Sequence, residues 1–158
     1  MAIYMKYPDI KGSSTVDAYK DLIILDSFSF GVQRDLDTHR TDKNREASEP
    51  TIGEITVTKK MDVSSAKLFI ESVASDLKND VEITFTTTTA KKTAEYLSYK
   101  LANVGVSLYS VSAGADGIPV ESVVLNFTKL EMKFTAHGPD ISGSPEAVGY
   151  DLMAMKTV

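Results

Sequence analysis

The stretch TAEYLSYKLANVGVSLYSVS, Thr93–Ser112, alternates apolar and polar residues, but in two phases. Leu97, Tyr99 and Leu101 occupy odd positions, whereas Val104, Val106 and Leu108 occupy even ones. Side chains alternate sides along a strand, so a slip of one residue turns every later side chain over. The slip near Asn103 therefore predicts a β-bulge at which one long strand bends and serves two sheets. Val120–Thr135 repeats the pattern, with Val123, Leu125 and Phe127 giving way to Leu130, Met132 and Phe134.

The flanking segments are strand-like as well. Ile3–Tyr7 reads as an opening strand ended by Pro8, and residues 9–18 as a Gly/Ser/Asp loop. Tyr19–Gln33 reads as one long strand whose middle, Leu22-Ile23-Ile24-Leu25, is apolar on both faces and so is expected to lie sandwiched. Beyond it Phe28, Phe30 and Val32 point one way, and Ser27, Ser29, Gly31 and Gln33 the other. Ile55, Val57, Lys59 and Met61 alternate against Glu54, Thr56, Thr58 and Lys60. In Val81–Thr89 the expectation is that Val81, Ile83 and Phe85 face inward and the threonines outward. The only helix signal starts at a cap, Asp62 or Ser64, and Ala66, Phe69, Ile70, Val73, Ala74 and Leu77 then form an apolar stripe expected to face the core. Residues 137–158 read as a Gly/Pro-punctuated C-terminal tail ending in a short strand at Tyr150–Met153. The fold class is mainly β, a curled two-sheet β-barrel with one α-helix.

Composition narrows the function. At 158 residues and 17.2 kDa the chain is one domain, large enough to hold a core without metals or disulfides. Seventeen basic residues against 22 acidic give a net charge of −5, and no stretch carries a basic excess, which argues against nucleic acid as a partner. The absence of cysteine excludes disulfide scaffolds, thiolate zinc sites and cysteine nucleophiles together. The longest unbroken apolar run is Met1–Met5, too short to span a bilayer or to act as a secretory signal, so the chain is expected to start in the cytoplasm.

Residues that could carry chemistry are scattered. His39 and His137 lie in polar loop sequence without ligand spacing, and there is neither a GxSxG elbow nor a phosphate-cradling glycine pattern. The helix carries Lys67, Glu71, Asp76 and Lys78, a balanced solvated face rather than a membrane-binding one. The expectation is a protein with no catalytic residues, no metal and no cofactor.

Residues 34–50 (RDLDTHRTDKNREASEP) stand apart. Nine of these seventeen are charged, four basic and five acidic, and only Leu36 is a large apolar residue. Nothing in the segment anchors it within the monomer, so it reads as a long exposed loop serving a contact outside the subunit. The long strands with polar faces leave two readings open. One is a monomeric β-sandwich binding module with a wet outer face, and the other is a closed ring whose wet face lines a hole.

Several motifs, in order, resemble one family. Ile3-Tyr4-Met5-Lys6 followed by Asp9-Ile10-Lys11-Gly12-Ser13-Ser14 resembles the N-terminus of the haemolysin-coregulated protein (Hcp) family of bacterial type VI secretion. Phe28-Ser29-Phe30-Gly31 is similar to its aromatic–Ser–aromatic–Gly strand, and Thr58-Lys59-Lys60-Met61-Asp62 before Ser65-Ala66-Lys67-Leu68 to its strand-to-helix junction. Glu95-Tyr96-Leu97, the run Glu121–Phe127 and Gly149-Tyr150-Asp151-Leu152 extend the likeness over nearly the whole chain.

The resemblance implies a tail-tube-like architecture: homohexameric rings with an inner barrel of strands and helices outside, stacked into a tube. A contractile sheath propels that tube out of the cell with a spike at its tip, and effector proteins travel in the lumen. It implies no signal peptide, no nucleic acid and no membrane insertion. Carried onto this chain, residues 1–136 are the barrel domain and 137–158 the tail, with Ser27 and Ser29 facing the lumen. The loop at 34–50, through Arg34, Asp35, Asp37, Arg40, Asp42, Lys43, Arg45 and Glu46, would reach a neighbouring subunit or ring. Because this loop is charged, its contacts would be salt-sensitive. A phage-like tail-tube protein is the close alternative.

Overall fold

A computed structural model describes residues 1–36, 47–88, 93–136 and 145–158. Among the described residues, twelve strands and one α-helix follow one another in the order β1 (Ala2–Lys6), β2 (Ile23–Leu25), β3 (Ser27–Ser29), β4 (Val32–Gln33), β5 (Thr51–Ile52), β6 (Ile55–Lys60), α1 (Ser65–Ala74), β7 (Asn79–Thr88), β8 (Thr93–Ser112), β9 (Val120–Asn126), β10 (Lys129–Thr135), β11 (Pro145–Asp151) and β12 (Lys156–Thr157).

The long strand β8 behaves as its two phases predict. Its first half pairs with β7 and β10, and its second half, from Gly105, pairs with β9. Asn103 sits at the junction with φ 53°, a left-handed conformation that asparagine tolerates better than most residues. Its amide side chain donates to Thr128 Oγ1 at 2.8 Å, tying the bend to the neighbouring crossing. Two sheets result, sharing β8. The first runs β12-β11-β10-β8-β7-β1-β2, and the second runs β3-β6-β9-β8. The stretch 120–135 also serves both sheets, but Phe127-Thr128 divides it into β9 and β10.

The core lies between the sheets. Met5, Ile23, Ile83 and Leu101 of the first sheet meet Ile55, Val57, Val123 and Leu125 of the second. Phe28 stacks on Tyr99 with ring centroids 4.9 Å apart and meets Phe85 edge-on at 5.1 Å, a geometry that adds to simple area burial. Gly12 packs so closely on the start of β2 that a Cβ there would sit 2.3 Å from the Leu22 carbonyl oxygen.

Five expectations need correction. Tyr19–Gln33 is not one strand. A 3₁₀ turn occupies Asp17–Tyr19, Asp21 has φ 61°, and the chain crosses between sheets at Asp26, whose N–H donates to the Thr58 carbonyl at 2.8 Å. Ile24 is not sandwiched but 42% exposed, because β2 is the edge of the first sheet and pairs only with β1. Thr84 and Thr86 are buried rather than outward in water. Thr84 shares a cross-strand row with Tyr4 and Ser98, and Tyr19 stacks on Tyr4 at 4.7 Å, covering that face of the first sheet.

The fourth correction concerns the helix. Of the expected stripe, Phe69, Ile70 and Val73 are exposed on the helix, Leu77 lies beyond its end with φ 54° and is exposed too, and the buried helical residues are Ser65 and Leu68. The orientation follows from polar anchors on the opposite face. Glu71 accepts hydrogen bonds from the Tyr7 hydroxyl at 3.1 Å and from Asn79 Nδ2 at 3.3 Å, which turns that face inward. The C-terminal residues also form more strand than expected, since β11 pairs along its whole length with β10 and carries β12 on its far side.

A buried ion pair joins the helix start to the second sheet. Lys59 sits on the core face of β6, in phase with Ile55 and Val57, and is fully buried together with Glu121 of β9. Lys59 Nζ lies 2.5 Å from Glu121 and 2.9 Å from Asp62. Glu121 also accepts from the Ser65 hydroxyl at 2.9 Å and from the Tyr109 hydroxyl. Partial burial alone would raise the Asp62 carboxyl, but hydrogen bonds from Ser64 and Lys59 outweigh it and hold the group below its ordinary range. Removing one member of such a pair strands the other without a partner. Lys59→Met is expected to cost about 3–5 kcal/mol in urea unfolding, and Lys59→Met combined with Glu121→Leu distinctly less; equal losses would contradict this account.

Candidate functional site

The outer face of the second sheet carries a row of small hydroxyl side chains. Register places Ser27 opposite Thr58, Thr58 opposite Ser122, and Ser122 opposite Ser110, one row across all four strands. The next row runs Ser29, Thr56, Val124 and Leu108. The face is polar because β3, β6 and β9 each alternate, and Phe28, Val57 and Val123 occupy the core side. Ser27 Oγ and Thr58 Oγ1 share a hydrogen bond of 2.5 Å, and Ser107 donates to Glu54 nearby. Ser27 and Ser29 are both exposed on this face.

The serine pair was readable from one strand's alternation. Thr56, Thr58, Ser110 and Ser122 join it only through strand pairing. Their signal was the polar phase of their own strands, which says nothing about which strands are neighbours. Thr84 and Thr86, expected on the same kind of wet face, belong to the other sheet and are covered.

The loop candidates divide. Asp37, Arg40, Asp42, Lys43, Arg45 and Glu46 lie outside the described residues, as do His39 and His137. Arg34 and Asp35 belong to the base of the loop, which the short β4–β5 ladder and a Leu36–Ala47 bridge hold together. Arg34 Nε donates to the Ser48 carbonyl at 2.7 Å, and the Asp35 N–H donates to Ser48 Oγ at 2.9 Å. Leu36 is exposed, whereas Ile52 of the β4–β5 ladder packs against the core. Gly53 lies against Gly31, donating to its carbonyl at 2.9 Å, and a Cβ on Gly53 would come within 2.8 Å of that oxygen.

A groove of about 370 Å³ lies on the outer face of the first sheet. Lys6, Glu82, Lys100 and Glu131 cross it in one register row, so opposite charges neighbour one another on successive strands. Among the described residues no three acidic or histidine side chains are grouped to hold a metal. The groups whose acidity shifts move away from neutrality. Burial, followed by the Glu71 carboxylate, raises Tyr7; burial, followed by Glu121, raises Tyr109; and Asp62 is lowered. No helix among the described residues is long and apolar enough to cross a membrane.

Known structures share this architecture. A type six secretion system protein aligns at 22% identity and TM-score 0.91, covering 99% of both chains. Hcp1 from Salmonella typhimurium aligns at 21% identity and TM-score 0.78, covering 99% of this chain and 98% of its own. The baseplate of the anti-feeding prophage supplies a more distant likeness, at 14% identity and TM-score 0.54, covering 83% of this chain and 90% of its own. No curated protein matches the sequence. Residues 4–134 match the family described as "Type VI secretion system effector, Hcp". With that match running from the first strand to the end of β10, the chain belongs to the Hcp family of type VI secretion.

Proposed function

We propose that the protein is a structural subunit of a type VI secretion inner tube, with no catalysis of its own. Six copies form a ring, rings stack, and the tube leaves the cell with the spike when the sheath contracts, carrying effectors in its bore. The observation that carries this reading is the second sheet. Among the described residues both its edges are open in the single chain: β3 pairs with β6 alone, and the 105–112 half of β8 with β9 alone. Open edges recruit further strands, and closure into a barrel by copies of the same sheet removes them. The face left inside would be the row of Ser27, Thr58, Ser122 and Ser110, which suits a water-filled bore. Family membership supports the same reading, and the prophage likeness supports a common tail-tube ancestry.

A hexamer of 17.2 kDa subunits should scatter light as a particle of about 103 kDa and appear in averaged micrographs as annuli. A monomer at tens of micromolar overturns the proposal. Ser29→Gln should leave rings intact and change cargo retention, since it enlarges a bore-facing side chain; loss of the hexamer would instead put Ser29 at a subunit contact. Replacing Arg40, Lys43 and Arg45 with Ser should shorten tubes while sparing rings, and the effect should fade at high salt. Arg34→Ser serves as the comparison, because Arg34 is already engaged at the loop base. Unchanged tube length in the triple variant would refute the stacking role.

A further inference from the structure

The outer face of the second sheet carries charge at its two ends and none between. Along β6 the buried phase is Ile55, Val57 and Lys59, so Glu54, Thr56, Thr58 and Lys60 share the opposite phase. Lys60 stands in a row with Val120 and Ser112 at one end of the face. Glu54 precedes β6 at the other end, where it accepts from the Ser107 hydroxyl. The two rows between them, led by Ser27 and Ser29, hold no ionisable group. Lys59 and Glu121, the remaining charges on β6 and β9, lie on the core side and pair with each other. Asp116 belongs to the turn between β8 and β9, beyond the ladder.

Both end charges are exposed, and neither forms an ion pair with another described residue. Six steps along a strand separate them, about 20 Å at an extended rise. With the tilt that strands take in a closed barrel, roughly 15 Å of this lies along the axis. That exceeds the ~8 Å over which physiological salt screens charge, so the two ends do not cancel. A ring with this face inward repeats each charge around its bore, ammonium groups toward one mouth and carboxylates toward the other. Low-dielectric walls lined by one sign of charge focus its field on whatever enters.

Resting on the ring reading above, we propose that the bore is electrically polarised along its axis and takes polypeptide cargo whose own charges are separated. Acidic residues of the cargo lie toward Lys60, basic residues toward Glu54, and an uncharged polar stretch spans the hydroxyl rows. Because the two end charges are opposite, the bore selects the arrangement of charge on a cargo rather than its net charge, and fixes which end of the cargo leads.

The test uses two rhodamine-labelled peptides of identical composition. One joins four glutamates to four lysines through eight alternating glycines and serines, a spacer with a root-mean-square span of about 16 Å. The other distributes the same charges alternately along its length. Fluorescence anisotropy at low salt should show wild-type rings binding the first peptide about tenfold more tightly, a preference that disappears at high salt. Lys60→Gln and Glu54→Gln, the latter keeping an acceptor for Ser107, should each abolish the preference. The exchanged variant Lys60→Glu/Glu54→Lys should restore it, since the peptide then enters the other way round. Equal binding of the two peptides by wild-type rings, or a preference that survives both single variants, overturns the polarity and leaves the ring reading standing. Loss of the ring in either single variant, read by light scattering, would place that residue at a subunit contact and also overturn it. A monomeric wild-type protein would remove both readings.

Discussion

One strand holds two sheets because a single residue takes a left-handed backbone conformation. At Asn103 the side-chain phase of β8 reverses, so its first ten or so residues face the core from one sheet and the rest from the other. The chain of β9 and β10 makes the same crossing alongside, and the Asn103–Thr128 hydrogen bond ties the two bends together. The inter-sheet core, the polar outer face of the second sheet and the overhang of the first sheet all follow from that geometry. A β-branched residue at the bend would disfavour it, because a Cβ branch suffers most in this region of backbone space.

The second structural theme is polar anchoring. In most small domains an apolar helix face decides how the helix sits. Here Glu71 bonded to Tyr7 and Asn79, and the Ser65–Glu121–Lys59 cluster, set the orientation. A charge buried without its partner is more costly than a few apolar side chains left in water. The apolar stripe is consequently turned away from its own core. Among the described residues, an apolar helix face therefore lies outward while both edges of the second sheet stay open.

Several features were legible without coordinates. The phase slips at Asn103 and near Thr128 are local, since alternation along one strand requires only knowledge of that strand. The single helix was visible from its spacing, and Lys59 from its place in the phase of Ile55 and Val57. Ser27 and Ser29 were assigned to the polar side correctly by the same logic. What failed were the readings of what covers Ile24, Thr84 and Thr86, and of which way the helix stripe faces. Ile24 looked doubly buried because both neighbours are apolar, yet its strand is an edge. Thr84 looked exposed because threonine tolerates water, yet Tyr4, Tyr19 and Ser98 cluster at its face.

The sequence by itself determined the periodicities: where the long strands bend, which side of each alternates polar, and that one amphipathic helix interrupts them, but not the breaks within Tyr19–Gln33 or the strands at the C-terminus. These depend on steric alternation within a few residues and need no partner. Tertiary structure alone decided which strands share a row, which edges stay open, and which way the helix faces. Those outcomes depend on pairings between residues as far apart as Lys59 and Glu121, or Tyr7 and Glu71. Burial is a property of the neighbours a residue acquires, and no local pattern specifies them.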